Sequence, residues 1–431
     1  MRETAEFLRS LFDAAVAAAL PALRLPARLP DPPIEGRVIV LAAGKAAGAM
    51  AETAERHYVE TLGLEPGRLT GLAVTRHGHG RPTRLVSCIE AGHPVPDAAG
   101  LAAAERCLGL AAAAGPEDLV LVLLSGGGSA NWVLPVAGVS LAAKQAVTRA
   151  LLKSGAPIDE INTVRKHLSR IKGSRLAAAA RPARLVTLAI SDVPRDDPSV
   201  IASGPTVPDP TTLADARAIL RARGIDPPES VARALADPAN ETPKPGDPAF
   251  AQALFEIVSR PSDALAAAAA AARAHGYDVV ELGADLEGEA RDVAAEHARL
   301  ALDLAARRAR AVILSGGELT VTVRGTGRGG PNQEYALGLA LALAGAPAVS
   351  AIAGDSDGAD GGSGRADDPA GAMVFPDTLA RAAARGLDPA ASLADNDAAG
   401  FFGALGDLVV TGPTLTNVND VRAIVVDTGA A

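Results

Sequence analysis

Residues 311–334 read A-V-I-L-S-G-G-E-L-T-V-T-V-R-G-T-G-R-G-G-P-N-Q-E. The apolar run at 311–314 predicts a buried strand, and the alternation at 320–324 predicts a half-solvated one. Ser315-Gly316-Gly317 separates them, and Pro331 stands where a helix would start, because the missing N–H costs nothing there. A strand, a glycine turn, a basic glycine loop and a helix start are typical of an anion cradle. The stretch therefore predicts half of a phosphate site in an α/β domain.

A second copy of this device lies earlier in the chain. The apolar residues 119–124 predict a strand that ends in Ser125-Gly126-Gly127-Gly128-Ser129. Two strands that each end in Ser-Gly-Gly predict two α/β units facing a common cleft. The alternative is that each motif is only a tight turn between a strand and a helix, since one short glycine motif is weak evidence.

Composition limits the classes of protein that fit. A chain of 431 residues is too long for one typical core, so two domains are expected. The net charge of -9 and the lack of a basic tract argue against nucleic-acid or membrane-surface partners. No apolar run is long enough to cross a bilayer, and the first residues predict an amphipathic helix instead of a signal peptide. Two cysteines are too few for a metal cluster or a disulfide framework. We therefore expect a cytoplasmic enzyme.

Predicted strands and helices alternate along the chain, which indicates mostly parallel sheets. Residues 237–248 contain four prolines and no periodicity, so they predict a linker. The expected organisation is an N-terminal Rossmann-like domain over residues 1–240 and a C-terminal α/β domain over residues 241–431, with the active site in the cleft between them.

Charged residues next to predicted strands are candidates for chemistry. Gly44 and Lys45 follow the strand at 37–41, where a lysine meets an anion at a helix N-terminus. Asp192 follows the strand at 185–190, the position at which α/β folds place ligand groups, so it is a candidate metal ligand or base. His93 lies on a loop, where a ligand contact and a turn-stabilising role are equally consistent with the sequence.

Two further pairs of charged residues are candidates for binding a substrate or a metal ion. Arg165 and Lys166 are either a solvated basic face or a grip for a substrate carboxylate, to which arginine is suited by its planar fork. Asp355 and Asp357 follow the strand at 348–353, and magnesium held by one or two carboxylates plus nucleotide phosphates fits this loop better than calcium does.

Taken together, the motifs resemble the glycerate 2-kinase family, whose second half contains the MOFRL region, here at about 308–426. The resemblance rests on A-A-G-K-A-A-G-A-M, L-S-G-G-G-S-A, N-T-V-R-K-H-L-S, S-D-V-P, I-A-S-G-P-T, L-S-G-G-E-L-T-V-T-V, N-Q-E, S-D-G-A-D-G and T-G-P-T-L-T-N-V-N-D in that order, and it covers nearly the whole chain. It implies phosphorylation of glycerate at the 2-hydroxyl by ATP with Mg2+. A homodimer is an oligomeric state that it allows.

The resemblance also implies roles for particular residues. Lys45 matches the family's catalytic lysine. The family's second catalytic residue is an arginine in G-G-R-N-Q-E, where this chain has Gly329-Gly330-Pro331, so Arg328 or Arg324 has to supply the charge. We assign Arg328 and Asp192 to catalysis beside Lys45, and Arg324, Arg165 and Lys166 to substrate binding. The predicted metal ligands are Asp192, Asp355 and Asp357, and the predicted ATP-binding residues are Gly44, Ser125, Gly126, Gly127, Gly128, Ser129, Ser315, Gly316, Gly317, Glu318, Asn332 and Gln333.

Two rival functions stay open. Residues 325–330 match G-x-G-x-x-G, with Asp355 about 25 residues further on, as in a dinucleotide-binding fold. That pattern favours an NAD(P)H-dependent hydroxypyruvate reductase, a label that members of the family have carried. Against it, the preceding segment alternates instead of being buried on both faces. The other rival is a nucleotide-binding regulator without catalysis, in which Lys45 and the acidic loops would be idle.

Overall fold

The structure is a computed structural model that describes residues 2–361 and 367–429. The chain divides into two compact units. The first unit is Arg24–Val258, and the second unit combines Met1–Leu23 with Ser259–Ala431. Among the described residues, no helix has both the length and the apolar composition required to cross a membrane.

The first unit is built on a six-stranded sheet in the order β3-β2-β1-β4-β5-β6. Its strands are β1 (Val38–Ala43), β2 (Leu69–Arg76), β3 (Val86–Ala91), β4 (Leu119–Leu124), β5 (Arg184–Ile190) and β6 (Ala253–Ser259). Strands β1 to β5 pair in parallel. β1 and β4 are apolar and wholly buried, as expected for central strands covered on both faces.

Helices cover both faces of this sheet and form a side layer. They are α3 (Ala47–Arg56), α4 (Ala98–Ala112), α5 (Gly128–Asn131), α6 (Leu141–Lys153), α7 (Ile158–His167), α8 (Arg175–Ala179), α9 (Leu213–Ala222) and α10 (Glu229–Ala236), while the short α2 (Pro21–Arg24) spans the boundary between the units. A separate apolar cluster, with Val147 and Leu151 of α6 and Val164 of α7, holds α6, α7, α9 and α10 together. This cluster fixes α6 and α7 at the margin of the sheet's own core.

The second unit contains another six-stranded sheet, in the order β11-β10-β9-β12-β8-β7. Its strands are β7 (Asp278–Glu281), β8 (Arg310–Gly316), β9 (Val349–Asp355), β10 (Gly371–Val374), β11 (Leu408–Val409) and β12 (Asp420–Asp427). β7 and β8 are parallel, whereas β12 is antiparallel to both β8 and β9, and β10 is antiparallel to β9 and β11. Four strands therefore point one way and two the other, and the predicted α/β class with mostly parallel strands is confirmed.

The helices of the second unit are α1 (Arg2–Ala17), α11 (Pro261–Ala274), α12 (Ala290–Ala306), α13 (Pro331–Leu343), α14 (Thr378–Ala384), α15 (Pro389–Ala394) and α16 (Ala398–Leu405). α1 packs against α11, β9 and β12, and its apolar stripe, including Leu8, Leu11 and Phe12, is buried there. The ring of Phe7 also stacks on Tyr277 at 4.9 Å. The amphipathic first helix predicted from the sequence thus joins the second unit, although it opens the chain.

The division of the chain differs from the predicted boundary at residue 240. The proline-rich residues 237–248 are not an open linker, because Glu241 accepts hydrogen bonds from His167 and from the amide of Leu213. β6 then completes the first sheet, which moves the boundary to about residue 258. Strand composition alone does not show which sheet a strand will join.

The strand predicted at 320–324 is also wrong. Only Thr320 forms an isolated bridge, with Glu289, and the next residues take no sheet partner among those described. The amide of Thr322 instead donates to the carboxylate of Glu289, and Val323 is 75% exposed. A side-chain carboxylate accepts the backbone amide here, where a strand prediction requires a neighbouring strand. Alternating polarity in the sequence does not distinguish a segment that pairs with a strand from one that bonds to side chains.

Candidate active site

The candidate site lies where the strand order of the first sheet reverses. The chain runs outward from β1 to β2 and β3, and it then returns to place β4 and β5 on the other side of β1. Ligands of open α/β sheets bind at the carboxyl ends of the two strands at such a switch point. Here β1 ends before Gly44-Lys45 and β4 ends before Ser125-Gly126. The two glycine-containing turns singled out in the sequence of this unit are therefore neighbours.

Hydrogen bonds join the two turns directly. The amide of Lys45 donates to the carbonyl of Gly126 at 2.7 Å, and the amide of Ala46 donates to Oγ of Ser125 at 3.0 Å. Gly44 has φ of +124°, and a Cβ there would lie 2.3 Å from Ser125 Oγ, so only glycine fits. The Ser125 hydroxyl, predicted to contact ATP, instead fixes the Lys45 turn.

Two backbone amides remain available at this turn. The N–H groups of Gly126 and Gly127 donate to no acceptor within residues 2–361 and 367–429. Gly127 has φ of +83°, and a Cβ on it would lie 2.9 Å from the His93 ring and 3.3 Å from Cγ of Lys45. Lys45 and His93 thus flank Gly127. Adjacent unsatisfied amides beside a lysine form an anion-binding concavity.

A loop from the β5 side supports the far end of the same turn. Oγ of Ser129 lies 2.7 Å from Oγ of Ser203, and a Cβ on Gly128 would lie 3.0 Å from Cβ of Ala202. Ala202 and Ser203 both have positive φ, at 49° and 61°, although neither is glycine. Such strained residues persist where the surroundings impose them, and they cluster at functional sites. Ser203 was not among the predicted site residues, and its left-handed backbone leaves no signature in the sequence.

A cavity of about 390 Å3 opens beside the turn, entirely within the first unit. Gly127, Ser129 and His93 line its inner end, and α6 and α7 contribute Lys144 and Arg165. Burial lowers the pKa of Arg165. Its guanidinium makes no hydrogen bond or ion pair with any residue that the structure describes. An arginine placed so is suited to bind an anion, which agrees with the predicted substrate-binding role of Arg165.

Two buried lysines hold the frame of this cavity. Nζ of Lys172 donates to the carbonyls of Ser129 and Trp132 at 2.8 and 2.6 Å. Nζ of Lys144 donates to the carbonyls of Arg165 and Leu168. Burial, and then the charge of Arg165, lowers the pKa of Lys144 to about 7, and burial lowers the pKa of Lys172 well below its ordinary value. The side-chain amino groups of both lysines therefore position the turn and α7.

Lys166 has a different environment from Arg165. Its side chain is buried and lies 3.4 Å from Oδ1 of Asp209, and it is not among the residues that line the cavity. Adjacent helical residues point in different directions, about 100° apart. The predicted substrate-binding role of Lys166 is therefore replaced by a structural ion pair.

Asp192 lies where the sequence predicted it, just after the carboxyl end of β5. It is half-buried at the start of a loop in which Arg195 and Asp196 have positive φ. Its role as a base or metal ligand stays a prediction.

In the second unit, residues predicted to bind phosphate are bonded to carboxylates of the same unit. At the N-terminus of α13, the amides of Asn332 and Gln333 donate to the two oxygens of Asp360 at 3.0 and 2.8 Å. Nδ2 of Asn332 donates to Asp360 and Asp420. Burial, and then the charge of Asp420, raises the pKa of Asp360 to about 7. The helix N-terminus predicted to receive a phosphate of ATP therefore holds a side chain of the protein.

The second Ser-Gly-Gly turn is likewise filled. The amide of Gly316 donates to the carbonyl of Gly283, and the carbonyl of Gly317 accepts from the buried guanidinium of Arg422. A Cβ on Gly317 would lie 2.1 Å from the amide of Leu286. Ser315 is buried, and only Glu318 is exposed. This close packing favours the tight-turn alternative for this copy of the motif, and the phosphate-binding role of the copy at 125–129 stays a prediction.

The glycine loop at 324–330 packs on the turn at 395–397. The amides of Arg324 and Gly325 donate to Oδ1 of Asn396 at 2.7 and 3.0 Å, and those of Thr326 and Arg328 donate to the neighbouring aspartates of the turn. Cβ atoms on Gly325 and Gly327 would lie 2.3 and 2.4 Å from this turn. The glycines therefore serve close packing inside the protein, which disfavours the dinucleotide interpretation of the loop.

The loop nevertheless exposes two arginines. The side chains of Arg324 and Arg328 are in solvent and form no hydrogen bond or ion pair with the described part of the chain. Both guanidinium groups are available to a ligand, which leaves the predicted choice between them open.

The acidic residues after β9 are the remaining candidates. Asp357 is buried, Asp355 is half-buried, and Oδ1 of Asp355 accepts the amide of Asp357 at 2.9 Å. Asp420, the first residue of β12, is the register partner of Asp355. No group of three or more His, Cys, Asp or Glu in metal-binding geometry occurs among the residues described. Carboxylate oxygens fit magnesium chemically, with the remaining ligands supplied by water and phosphate.

Comparisons with known proteins identify the family of the chain. A family model described as "Domain of unknown function (DUF4147)" matches residues 7–236, and one described as "MOFRL family" matches residues 311–420. The "D-glycerate 2-kinase" of Thermotoga maritima is 40% identical over 414 residues, which cover 95% of this chain and 93% of that protein. A protein of Agrobacterium vitis named "Putative hydroxypyruvate reductase" is 52% identical over 427 residues, which cover 98% of this chain and 94% of that protein.

A solved structure gives the same result. The crystal structure of glycerate kinase from Thermotoga maritima superposes with a TM-score of 0.85 at 37% identity, and it covers 99% of this chain and 100% of that one. The resemblance predicted from the sequence motifs is confirmed. The chain belongs to the glycerate 2-kinase family, in which a DUF4147 domain is followed by a MOFRL domain.

Proposed function

We propose that this protein transfers the γ-phosphoryl group of ATP to the 2-hydroxyl of glycerate, giving 2-phosphoglycerate and ADP. One observation carries the proposal: the N–H groups of Gly126 and Gly127 are unsatisfied at the switch point of the first sheet, beside Lys45. Phosphoryl transfer needs positioning and charge neutralisation more than covalent help from the protein. The two backbone donors and Lys45 supply both positioning and positive charge at the turn that follows β4.

Each residue has a distinct role in this reaction. The glycerate oxygen forms a bond to the γ-phosphorus, and the bond from that phosphorus to the oxygen bridging it to ADP breaks. The Gly126 and Gly127 amides and Lys45 balance the charge on the transferred group. Asp192 accepts the proton of the glycerate hydroxyl. Arg328 or Arg324 contributes a second positive charge.

Magnesium and ATP fit the residues present. Asp355 and Asp357 offer oxygen ligands at the end of β9, and Asp192 offers another at the end of β5. A bound Mg2+ would neutralise charge on the nucleotide phosphates. The location of the complete site in a cleft between the two domains, a homodimer and a cytoplasmic location stay predictions.

The reductase alternative rests on the name of the Agrobacterium vitis relative and on the G-x-G-x-x-G pattern. The amides of that loop already donate to Asp395, Asn396 and Asp397. A pyrophosphate would have to displace these acceptors, so we favour the kinase.

The test is a pair of assays on purified protein. One follows ADP release with glycerate, ATP and magnesium, with the product identified, and the other follows NADH or NADPH loss with hydroxypyruvate. We expect glycerate-dependent ADP release and no cofactor oxidation. Nicotinamide oxidation without ADP release would overturn the proposal.

A variant pair assigns the catalytic lysine. Lys45→Met should reduce kcat by roughly 100-fold or more, the order of effect of removing one transition-state donor. Lys153→Met, at the exposed end of α6, is the matched control and should leave kcat unchanged. A Lys45→Met enzyme with the native melting temperature and full activity would remove Lys45 from the mechanism.

A further inference from the structure

The cavity of the first unit has a mixed lining. Gly127, Ser129 and His93 line its inner end, and the charged lining residues are all basic: Lys144, Arg149, Arg165 and Lys172. The apolar side chains of Val95, Val133, Leu141 and Leu152 form an apolar wall. None of the described residues that line it is Asp or Glu. The cavity therefore suits a ligand with an anionic head and an apolar body.

Arg165 supplies the argument for an anion. Arg165 is half-buried, so its guanidinium loses part of its solvent, and no carboxylate of the described chain pairs with it. A desolvated charge without a partner is unfavourable in free energy. A carboxylate that pairs with Arg165 in the cavity therefore binds more strongly than it would to an arginine at the surface. The carbonyl of Arg165 is held by Lys144, which fixes α7 and hence the direction of the side chain.

The loop over the cavity is also held in place. Nε2 of Gln145, on α6, donates to the carbonyl of Pro96 at 3.1 Å. This bond ties the loop at 93–96 to α6 across the opening. The inner end of the cavity reaches Gly127, which contacts Lys45. The cavity that Arg165 lines thus extends to the turn of the proposed phosphoryl centre.

The size of the cavity exceeds what glycerate needs. Glycerate has about seven non-hydrogen atoms, whereas about 390 Å3 corresponds to roughly a dozen water molecules at about 30 Å3 each. The surplus lies against the apolar wall. Apolar groups of a ligand gain free energy when they leave water for such a surface.

We propose that this cavity binds the acceptor through its carboxylate at Arg165, and that it also accepts 2-hydroxy acids with an apolar chain beyond the third carbon. The identity of the acceptor rests on the proposed function, and the binding site itself does not. The residues that determine this range are Arg165, which binds the carboxylate, and Leu152 of the apolar wall, which is 56% exposed at the mouth.

Trp132 provides a direct readout. It is the single tryptophan of the chain, it is buried next to Val133 of the cavity wall, and its carbonyl binds Lys172. Its fluorescence is titrated, without ATP, with glycerate and with 2-hydroxy-4-methylpentanoate. We expect both acids to change the emission. Arg165→Met should raise both Kd values at least 10-fold, and Arg165→Lys should restore part of the affinity.

Two variants control the experiment. Leu152 is 56% exposed, so Leu152→Glu adds a negative charge at the mouth without disturbing the core. It should raise the Kd of the longer acid at least 5-fold and leave that of glycerate within 2-fold. Arg170→Met removes an exposed arginine, which pairs with Glu105 outside the cavity, and should change neither value.

Failure of this inference is distinguishable from failure of the proposed function. If neither acid changes the Trp132 emission, or if Arg165→Met leaves both Kd values unchanged, the cavity is not the acid site even in an active kinase. An emission change with ATP alone that depends on Arg165 would also overturn it, because the cavity would then hold the nucleotide. Binding of the acids through Arg165 without any ADP release would sustain the cavity and refute the kinase.

Discussion

Asn396 is the residue on which the position of the arginine loop depends most directly. Its Oδ1 accepts the amides of Arg324 and Gly325, and its Nδ2 donates to Oε2 of Glu334 at 2.9 Å. It is buried, with φ of +56°, a conformation that asparagine tolerates better than most residues. Its Nδ2 also donates to the carbonyl of Thr322 at 3.4 Å, so replacing Asn396 removes four hydrogen bonds and, for most substitutes, adds backbone strain.

The magnitude follows from these contacts. A buried amide left without an acceptor costs about 1–3 kcal/mol. The amides of Arg324 and Gly325 are only partly buried, so each should cost an amount near the lower end of this range. We expect Asn396→Gly to lower the free energy of unfolding by about 2–4 kcal/mol. Asn396→Ala should cost about 1 kcal/mol more, because alanine at positive φ is strained and glycine is not.

The assay is urea denaturation at pH 7 combined with hydrogen exchange of single amides. The amides of Arg324 and Gly325 should exchange faster in both variants, and kcat should fall if Arg324 or Arg328 contacts substrate. Thr326→Ala, in the same loop but exposed, is the control and should leave stability unchanged. Equal stability of the two Asn396 variants, or unchanged exchange at Arg324 and Gly325, would refute this reasoning.

Two further predictions concern buried titratable groups. The pKa of Asp360 is raised to about 7, so the folded protein keeps a proton that the unfolded chain loses near pH 4, and stability falls between about pH 4 and 7. Asp360→Asn should flatten this decline in urea titrations. It should not abolish the decline, because the pKa of Asp420 is also raised, to about 6. An unchanged dependence of the free energy of unfolding on pH would contradict the prediction. The pKa of Lys144 is lowered to about 7, so the unfolded chain binds the extra proton and stability rises from about pH 7 toward 10.5. Lys144→Met should reduce that rise between pH 7 and 9, and a rise as steep as in the unmodified protein would show that Lys144 is not buried as a neutral amine.

Much of the first unit was predictable because its signals are local. The apolar runs at 119–124 and 185–190 became β4 and β5, and the glycines that follow β1 and β4 became the turns of the candidate site. Lys45 and Arg165 were identified by their motifs. Their neighbours Ser203 and Lys172 were not assigned to the site, because nothing along the chain shows that they meet the turn at 125–129.

The second unit shows why a correct motif is not yet a site. Ser315-Gly316-Gly317 and Asn332-Gln333 have the composition of a phosphate cradle. Leu286 nevertheless occupies the space at Gly317, Arg422 donates to the carbonyl of Gly317, and Asp360 accepts the amides at 332 and 333. Asp360 lies 27 residues from Gln333 along the chain, and Arg422 lies 105 residues from Gly317. Local pattern describes the conformation of a turn, and it contains no information on which distant group fills it.

The sequence by itself determined the α/β class, the family and the two glycine turns of the first unit, because periodicity and glycine conformation act over a few residues. The tertiary structure decided that β6 joins the first sheet, that the helix opening the chain joins the second unit, and that the turns after β1 and β4 bond to each other. It also decided that Arg165 faces a cavity while Lys166 pairs with Asp209. These outcomes depend on which surfaces pack together, and that competition is settled only when the whole chain has folded.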